Sequence, residues 1–348
     1  MEAETGAVYR VGIIGCGAIA SDGWEQSARQ VPGYLLRPYS HAGAYQRHPR
    51  TRLVAAADVD PERLRAFGAR WGVSALYQDH REMLERERLD LVSIATPTRV
   101  RRAVTVDVAG RGVKAIYLEK PIARTLADAD AMIAACRANA VTVAVNHLRT
   151  YDPYYRAARQ LLRDGEIGQV QGVLATWAEG FSEGGCHLWD LLRFLLETRL
   201  SWVFAHLDGE EARRDLGGDA YLVYQNGVRA HVHMPWSTRV PVGVEILGSE
   251  GVIRMGYYQA QWWKLVARGE RRVPVEWPFP RSNDGFSGML TAVDELVRAL
   301  DGGPPPASTL EDARLALETT VALTQSGRSG APVHLPITDT SYVVESWL

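Results

Sequence analysis

The 348-residue sequence predicts an α/β chain with a doubly wound parallel sheet over residues 1–147. An α+β domain with a large open, mostly antiparallel sheet is predicted over residues 148–348. Three observations support this assignment. Short apolar runs alternate with helix-like segments in the first half, which is typical of a parallel sheet covered on both faces. The first of these runs ends in closely spaced glycines. Several β-rich runs follow one another in the second half with few helices between them.

Five apolar runs of the first half are predicted strands, and helix-like segments separate them. The helix DPERLRAFGARWG is predicted to begin after Asp60 as N-cap, to carry Pro61 in its first turn and to end at Gly72. DHREMLERERL and LADADAMIAACRANA also show helical spacing of apolar residues. The predicted strands are YRVGIIGCG, RLVAAADVD, LDLVSIATPT, VKAIYLEKP and VTVAVN.

The second half is predicted to form an open sheet, because Gly, Asn and Pro break up its β-rich runs. Asn226-Gly227 is a hairpin signal between two of them. An amphipathic helix over residues 186–197 interrupts the pattern, and two late helices can pack back on the first domain. The predicted strands are VQGVLATWAE, WVFAHLD, AYLVYQNG, VRAHVHMPW, VGVEILGSEGVIRM and RRVPVEWPF.

Composition narrows the class of protein. Apolar residues make up 46% and charged residues 23%, and the formal net charge of −2 gives no electrostatic basis for nucleic-acid binding. The N-terminus is acidic before it is apolar, unlike a signal peptide, and no run approaches the ~18 apolar residues of a membrane span. Cys16, Cys136 and Cys186 lack metal or disulfide spacing. We therefore expect a cytoplasmic protein with no metal, no nucleic-acid partner and no membrane association.

The first strand leads into a G-x-G-x-x-A turn formed by Gly15, Gly17 and Ala20. Such a turn lets a pyrophosphate approach the backbone, and Asp58 at the end of the second strand could accept hydrogen bonds from a ribose. A carboxylate there favours NAD, although NADP remains possible. The alternatives are a structural glycine turn and, for Asp58, a helix N-cap, a role that Asp60 fills better.

The distance from Gly17 to Asp58 is unusual for this motif. It is 41 residues, whereas about 20 is usual. The extra length lies in residues 21–40, whose Tyr, Trp, Pro and Gly indicate an ordered loop. The loop leaves the edge of the sheet where a cofactor would lie. It is either a lid or pocket wall, or a surface decoration or subunit contact.

Lysine is rare in this chain, which draws attention to its position. Only Lys114, Lys120 and Lys264 are lysines among 39 basic residues. Lys120 lies between Glu119 and Pro121 at the end of the fourth predicted strand. An ammonium can change its pKa on desolvation, whereas a guanidinium stays charged. Lys120 is therefore a candidate for a position where a proton moves.

The helix at residues 186–197 carries a second set of candidates. Glu183, His187 and Asp190 are spaced four and three residues apart, so they share one face if the preceding turn is helical. A titratable trio of this kind suits proton transfer beside a nicotinamide. A capped helix start with a satisfied histidine is the alternative.

Seven motifs, in this order and spacing, make the chain resemble the glucose–fructose oxidoreductase / inositol dehydrogenase / MocA (Gfo/Idh/MocA) family. They are GIIGCGAIA, VAAADVDPERLRAFGARWG, DLVSIATPT, YLEKPIART, LLRDGEIGQVQGV, EGGCHLWDLLRFLL and ILGSEGVIRM. The resemblance implies a Rossmann domain and an NAD(P)-dependent oxidoreductase that interconverts a secondary alcohol and a ketone on a sugar, inositol or related polyol. It also implies a homodimer or homotetramer formed through the open sheet face.

The resemblance implies roles for individual residues. Lys120 would contact the reacting hydroxyl or carbonyl, and His187 would be the acid/base paired with Glu183 in a D-x-x-x-H-like pattern. Asp190 would orient that histidine or touch substrate. The implied cofactor contacts are Gly15, Gly17, Ile19, Ala20, Asp58, Thr96, Pro97, Glu119 and Asn146.

Some features depart from the family pattern or leave alternatives open. Glu183 stands where the family has Asp, and TPTRVRR replaces a motif with Asn and His. Arg99, Arg101 and Arg102 either bind an anion or form a solvated helix face, and Arg149 need not play its usual part. Two other functions stay open: an NAD-dependent redox-assisted glycoside hydrolase and a non-catalytic NAD-binding regulator. Five tryptophans suit stacking on a sugar ring or packing in the core, namely Trp177, Trp189, Trp236, Trp262 and Trp263.

Overall fold

The computed structural model describes residues 6–21, 38–208, 215–235, 242–256, 260–280 and 287–344. Its first sheet has six parallel strands in the order β3-β2-β1-β4-β5-β6. The predicted doubly wound domain is therefore confirmed, with one more strand than expected, because β3 is only three residues long. The strands are β1 (Tyr9–Ile14), β2 (Thr51–Ala57), β3 (Ala75–Tyr77), β4 (Leu91–Ile94), β5 (Ala115–Leu118) and β6 (Thr142–Val145).

Helices alternate with these strands and begin at side-chain caps that the sequence supplies. The Asp60 carboxylate accepts hydrogen bonds from the amides of Glu62 and Arg63 at 2.9 and 3.1 Å, and Gly72 ends the same helix with a φ of 68°. All three predictions for this helix, including Pro61 in its first turn, are confirmed. The helices are α1 (His41–Arg47), α2 (Pro61–Trp71), α3 (His80–Arg86), α4 (Thr98–Ala109) and α5 (Leu126–Ala138).

The helix that normally follows the glycine turn is split in this chain. The amide of His41 donates to the carbonyl of Ile19 at 3.1 Å, and the amide of Ala42 donates to that of Ala20 at 3.0 Å. The helical hydrogen bonding of the turn thus continues into α1 across a gap of about 20 residues in sequence. This explains the long spacing between Gly17 and Asp58. Residues 22–37 lie outside the described residues, and the predicted lid or decoration falls there.

The second sheet is open and has nine strands, in the order β14-β13-β12-β11-β7-β10-β9-β8-β15. Only the β7–β10 pair is parallel among the pairings described, so the mostly antiparallel prediction is confirmed. The Asn226-Gly227 turn joins β9 and β10, as predicted. The sequence patterns missed β13 and the two-residue β15. The strands are β7 (Val170–Thr176), β8 (Leu200–Asp208), β9 (Gly217–Tyr224), β10 (Arg229–Met234), β11 (Gly243–Gly248), β12 (Gly251–Gly256), β13 (Ala260–Arg268), β14 (Arg271–Trp277) and β15 (Val333–His334).

Four helices accompany this second sheet and join it to the first domain. They are α6 (Pro153–Arg163), α7 (Gly185–Leu196), α8 (Gly288–Leu300) and α9 (Leu310–Ser329). Helix α9 packs on α7 and β8, and it also reaches α5. Helix α8 packs on α1, β5 and β6 of the first domain. Helix α9 thus packs on elements of both domains, including the turn that precedes α7.

The outer face of the second sheet has no covering element among the described residues. It forms a shallow depression of about 810 Å³ lined by residues such as His231, Glu245 and Arg254. Leu174 and Phe204 are exposed large apolar residues on strands of this sheet. The homo-oligomer expected on this face stays a prediction. None of the described helices is both long enough and apolar enough to cross a bilayer.

Candidate active site

The glycine turn at the end of β1 leaves room for a phosphate. Gly15 has a φ of 90°, and a Cβ there would lie 2.7 Å from the carbonyl oxygen of Ala95. A Cβ on Gly17 would meet no described atom within 4 Å, so the space above it is open. Ala20 is fully buried, and Ile19 is half-buried on the same turn. The turn is therefore shaped to accept a pyrophosphate against its backbone.

Asp58 lies beside this turn, as its proposed ribose role requires. Its Oδ2 accepts a hydrogen bond from the amide of Cys16 at 2.7 Å, and its Oδ1 accepts one from the amide of Asp60 at 2.9 Å. Each carboxylate oxygen can accept more than one hydrogen bond, so capacity for ribose hydroxyls remains. The Arg63 guanidinium is 3.5 Å from Oδ2. An arginine at this position can bind the 2′-phosphate of NADP, which would favour NADP over NAD.

The loop after β4 supplies the neighbouring wall of the nucleotide site. Thr96 and Pro97 follow β4 directly, and Pro97 is the N-cap of α4. The Thr96 hydroxyl is buried and has no hydrogen-bond partner among the residues described. A buried polar atom without a partner at this edge fits a bound ligand. The residues present thus suit an NAD-type cofactor.

Glu119 and Asn146 belong to a buried polar network, which limits what they can offer a cofactor. Glu119 Oε1 accepts hydrogen bonds from His41 Nε2 at 2.9 Å and from Asn146 Nδ2 at 2.6 Å. Tyr117 donates to Asn146 Oδ1 at 2.6 Å, and Ser93 meets His41 Nδ1 at 2.8 Å. Burial works to raise the pKa of Glu119, but His41 and Asn146 outweigh it and hold the pKa at about 2. We infer that the network mainly fixes the turn carrying Lys120.

His41 is a site-supporting residue that the sequence analysis missed. It is fully buried at the start of α1 and bridges Ser93 and Glu119. The insertion before His41 separates it in sequence from the glycine turn. The sequence therefore does not indicate that His41 lies beside β4 and β5. The only available signal was the Ser40 N-cap, whose hydroxyl accepts from the amide of Gly43 at 3.1 Å.

Lys120 reaches across from the first domain to the start of α7. Its Nζ lies 3.3 Å from the backbone carbonyl oxygen of Glu183 and 3.9 Å from Glu183 Oε2. Burial works to lower the pKa of Lys120, but the nearby Cys186, Glu183 and Glu119 outweigh it and raise the pKa. The ammonium therefore stays charged near neutral pH.

Glu183 lies in a π-helical turn, Gly180–Gly184, that leads directly into α7. The helical turn required by the predicted Glu183–His187 spacing is therefore present. Side chains satisfy the backbone of this turn: Asp215 accepts hydrogen bonds from the amides of Ser182 and Glu183 at 2.9 and 2.8 Å. Burial raises the pKa of Asp215 to about 7. π-Helical turns are rare and are frequent at functional sites.

Two of the predicted ring-stacking tryptophans instead hold this turn. The indole of Trp177 donates to the carbonyl of Gly184 at 2.9 Å, and that of Trp189 donates to the carbonyl of Phe181 at 3.0 Å. Both rings are buried, so their interpretation as stacking surfaces is wrong and the core interpretation holds. Trp262 and Trp263 lie on β13 in the second sheet. Trp236 lies outside the described residues.

His187 lies in an environment that disfavours its charged form. Burial, together with the nearby Lys120, His147 and Arg149, lowers the pKa of His187 well below its ordinary value. His187 Nδ1 is buried without a hydrogen-bond partner in the described part of the chain. Arg149 stands over the Trp177 ring at 5.7 Å, in addition to its effect on His187.

Asp190 is buried among protein partners, and its predicted contact with substrate stays a prediction. Its side chain is fully buried, and it accepts hydrogen bonds from Thr150, from Arg193 at 3.1 Å and from Ser308 at 3.3 Å. No described hydrogen bond joins it to His187. The histidine beside it is His147, whose Nδ1 is 3.6 Å from Asp190 Oδ1. The expected hydrogen bond from Asp190 to His187 is therefore absent among the described residues, and the histidine that Asp190 faces is His147.

Arg101 corrects the expectation of a solvated helix face. It is 1% exposed, and its guanidinium donates to the carbonyls of Pro121 and Thr96. Burial lowers its pKa to about 10. Arg101 thus ties the turn after β5 to the loop after β4. Arg99 and Arg102 are exposed, as a solvated helix face predicts.

Comparisons with known proteins agree with this architecture. A GFO/IDH/MocA family model, described as an oxidoreductase family with an NAD-binding Rossmann fold, matches residues 9–147. A model of the GFO/IDH/MocA C-terminal domain matches residues 180–254. Together the two models cover more than half of the chain.

Individual relatives cover much of the chain. A D-apiose dehydrogenase of Paraburkholderia graminis is 32% identical over 64% of this chain and 65% of its own length. A scyllo-inositol 2-dehydrogenase (NAD(+)) of Bacillus subtilis is 27% identical over 83% of this chain and 90% of its own length. An oxidoreductase from Agrobacterium radiobacter, solved with NAD+, L-tartaric acid and magnesium, has a TM-score of 0.77 at 19% identity, over 94% of this chain and 98% of that one. This last match shows a shared fold.

Proposed function

The chain belongs to the Gfo/Idh/MocA family of NAD-binding oxidoreductases, and we propose that it interconverts a secondary alcohol and a ketone on a sugar, inositol or related polyol. The names of its relatives support this substrate class, since a D-apiose and a scyllo-inositol dehydrogenase are among them. NAD is the proposed cofactor because Asp58 faces the ribose position. Arg63 beside it keeps NADP open.

The cofactor would be held by the edge formed by the glycine turn, Asp58 and the loop after β4. The glycine turn offers its backbone to the pyrophosphate, and Asp58 accepts from the ribose. Thr96 has a buried hydroxyl free among the described residues to meet the cofactor. When bound, the nicotinamide supplies or accepts the hydride, so this chain must supply only binding, orientation and proton transfer.

Lys120 would bind and polarise the reacting oxygen. The raised pKa keeps its ammonium charged, and a fixed positive charge stabilises the negative charge that develops on a carbinol or carbonyl oxygen. The Glu183 carboxylate balances this charge, and Glu183 fixes the position of Nζ, because both its backbone carbonyl and its carboxylate lie within 4 Å of Nζ. Arg101 and the Glu119 network hold the turn from the opposite side.

His187 would accept the hydroxyl proton during oxidation and return it during reduction. A neutral imidazole is required for the first task, and the pKa of His187 well below its ordinary value supplies one. Glu183 stands four residues before it, one helical turn away. The proposal thus separates two roles: a permanent cation at Lys120 and a proton acceptor at His187.

The observation that carries the proposal is the contact of Lys120 with Glu183, which lies one helical turn before His187. The test is nicotinamide absorbance with NAD and with NADP, using a panel of inositols, aldoses and other polyols. Steady reduction of the cofactor by at least one of them is expected. A parallel arm measures glycoside cleavage with a catalytic amount of NAD. Cleavage without net cofactor change would replace the dehydrogenase proposal with a redox-assisted hydrolase, and cofactor binding without either reaction would indicate a regulator.

A further inference from the structure

A second buried histidine, His147, lies behind His187. It directly follows Asn146 at the end of β6 and is 1% exposed. Its ring centroid is 5.8 Å from that of His187, and the two rings are nearly perpendicular, at 78°. Neither the sequence motifs nor the proposed function uses this residue.

The hydrogen bonds around His147 define where its proton lies. Ser308 Oγ is 3.0 Å from His147 Nδ1 and 3.3 Å from Asp190 Oδ1. A carboxylate accepts only, so the Ser308 hydroxyl donates its single hydrogen to Asp190. The Ser308 oxygen then accepts from His147, which places the imidazole hydrogen on Nδ1. His147 Nε2 is left with a lone pair.

Two buried ring nitrogens in this pair lack partners. Neither His147 Nε2 nor His187 Nδ1 has a hydrogen-bond partner in the described ranges. Buried polar atoms are almost always satisfied, so two orphans on adjacent rings need an explanation. One bound water between them, or a direct contact formed during turnover, would satisfy both.

Charge is better tolerated on His147 than on His187. His187 has Lys120 and Arg149 as charged neighbours, and both lower its pKa further below the value set by burial. Burial also lowers the pKa of His147, with Arg193 and Lys120 adding to this, but Asp190 and Glu119 act in the opposite direction. The charged neighbours therefore favour a positive charge on His147 over one on His187.

We propose that His147 receives the proton that His187 takes from the substrate hydroxyl. As His187 Nε2 binds that proton, Nδ1 releases its own hydrogen to His147 Nε2, directly or through one water. His147 Nδ1–H stays on Ser308, and the positive charge comes to rest beside Asp190. The reverse transfer serves ketone reduction. His147 acts through His187 and touches no substrate; the proposal rests on the proposed proton-accepting role of His187.

The first test measures protonation directly and needs no substrate. Nitrogen-15 NMR of ring-labelled protein, with His147→Asn used for assignment, should show His147 as the Nδ1–H tautomer. In Ser308→Ala the preference should weaken, because the acceptor that fixes it is gone. An Nε2–H tautomer in the wild-type protein would overturn the proposal, since that nitrogen could then accept no proton.

The second test uses the pH dependence of turnover with a polyol that the wild-type enzyme oxidises. His147→Asn retains a donor near Ser308 but loses the Nε2 acceptor. We expect kcat for oxidation to fall on the order of tenfold, with KM little changed and the acid limb of the kcat profile moved to lower pH. The limb moves because His187 alone holds the proton less well than the pair.

A matched control separates this role from a structural one. His80 also pairs with a carboxylate, Asp107, at 2.9 Å, but on α3. His80→Asn should leave both kcat and the acid limb in place. A His147→Asn variant whose rate falls without movement of the limb would show structural support only and overturn the relay. If no polyol is oxidised by the wild-type enzyme, the proposed function fails, while the tautomer measurement still decides the state of His147.

Discussion

Lys120 meets Glu183 twice, through the backbone carbonyl at 3.3 Å and through the carboxylate at 3.9 Å. The two residues are 63 positions apart. Lys120 follows β5 of the first sheet, whereas Glu183 lies between β7 and β8 of the second sheet. The position of the ammonium is thus set by the π-helical turn as much as by its own strand. Any change that unwinds this turn should alter the charge presented to a substrate.

Lys120→Met should reduce kcat/KM by about 10² to 10³ or more, because the variant loses the fixed charge that stabilises the developing oxyanion. NAD binding, followed by protein fluorescence, should be nearly unchanged. Lys114→Met is the matched control: Lys114 is exposed and pairs with Asp90 at 2.8 Å. Equal activity of the two variants would contradict the role of Lys120.

Asp58→Ser should shift the preference from NAD towards NADP by about tenfold or more in kcat/KM. The carboxylate that repels a 2′-phosphate is removed, and Arg63 loses one of its two carboxylate neighbours and can meet that phosphate. Asp60→Asn is the control, since it removes the other carboxylate paired with Arg63, at 3.3 Å, and leaves Asp58 in place. The assignment is wrong if the ratio of the two cofactors stays the same in Asp58→Ser.

Arg101→Met should destabilise the protein by about 2–4 kcal/mol, because the carbonyls of Pro121 and Thr96 are left buried without a donor. Arg102→Met, one residue along α4, should change stability by less than about 0.5 kcal/mol, since Arg102 is exposed. Urea unfolding monitored by circular dichroism measures both. A similar loss of unfolding free energy in the two variants would contradict the structural role assigned to the buried Arg101 guanidinium.

The pH dependence of stability should report on Asp215. Its pKa is raised to about 7 by burial, whereas an unfolded chain ionises near 3.9. Between these values the unfolded state has released a proton that the folded state keeps. Stability should therefore fall as the pH rises from about 4 to about 7, by on the order of a few kcal/mol.

Asp215→Asn isolates this effect. Asparagine makes one fewer hydrogen bond to the amides of Ser182 and Glu183, so we expect a constant loss at every pH. The decline between about pH 4 and pH 7 should disappear with the ionisable group. Urea unfolding at several pH values gives the slope, and an unchanged slope would assign the dependence to another group.

Residues that sit in local motifs could be placed from the sequence. Asp58 follows its strand, and Lys120 follows β5 beside Glu119, so chain order alone brings them to the carboxyl edge of the parallel sheet. Glu183 and His187 could be paired because helical spacing is a local property. Both sheets were also predictable, since apolar runs and turn residues are local signals.

Residues that depend on long-range packing could not be placed. His147 and Ser308 meet across 161 positions, and no spacing rule predicts that contact. Arg101 has the sequence context of an exposed helix arginine, and only the position of Pro121 makes it buried. Asp190 shares a helix face with His187, yet its hydrogen bonds go to Thr150, Arg193 and Ser308, which packing brings to it.

The helix after the glycine turn is split, and the split is a site where the chain can carry inserted residues. The carbonyls of Ile19 and Ala20 accept hydrogen bonds from the amides of His41 and Ala42. These bonds hold the glycine turn to α1 directly, without using the residues that lie between them in sequence. A change in the length of that stretch therefore need not shift the register of β1 or β2. A protein engineer could use the same junction to install a new recognition element beside the nucleotide edge, leaving the chemistry at Lys120 intact.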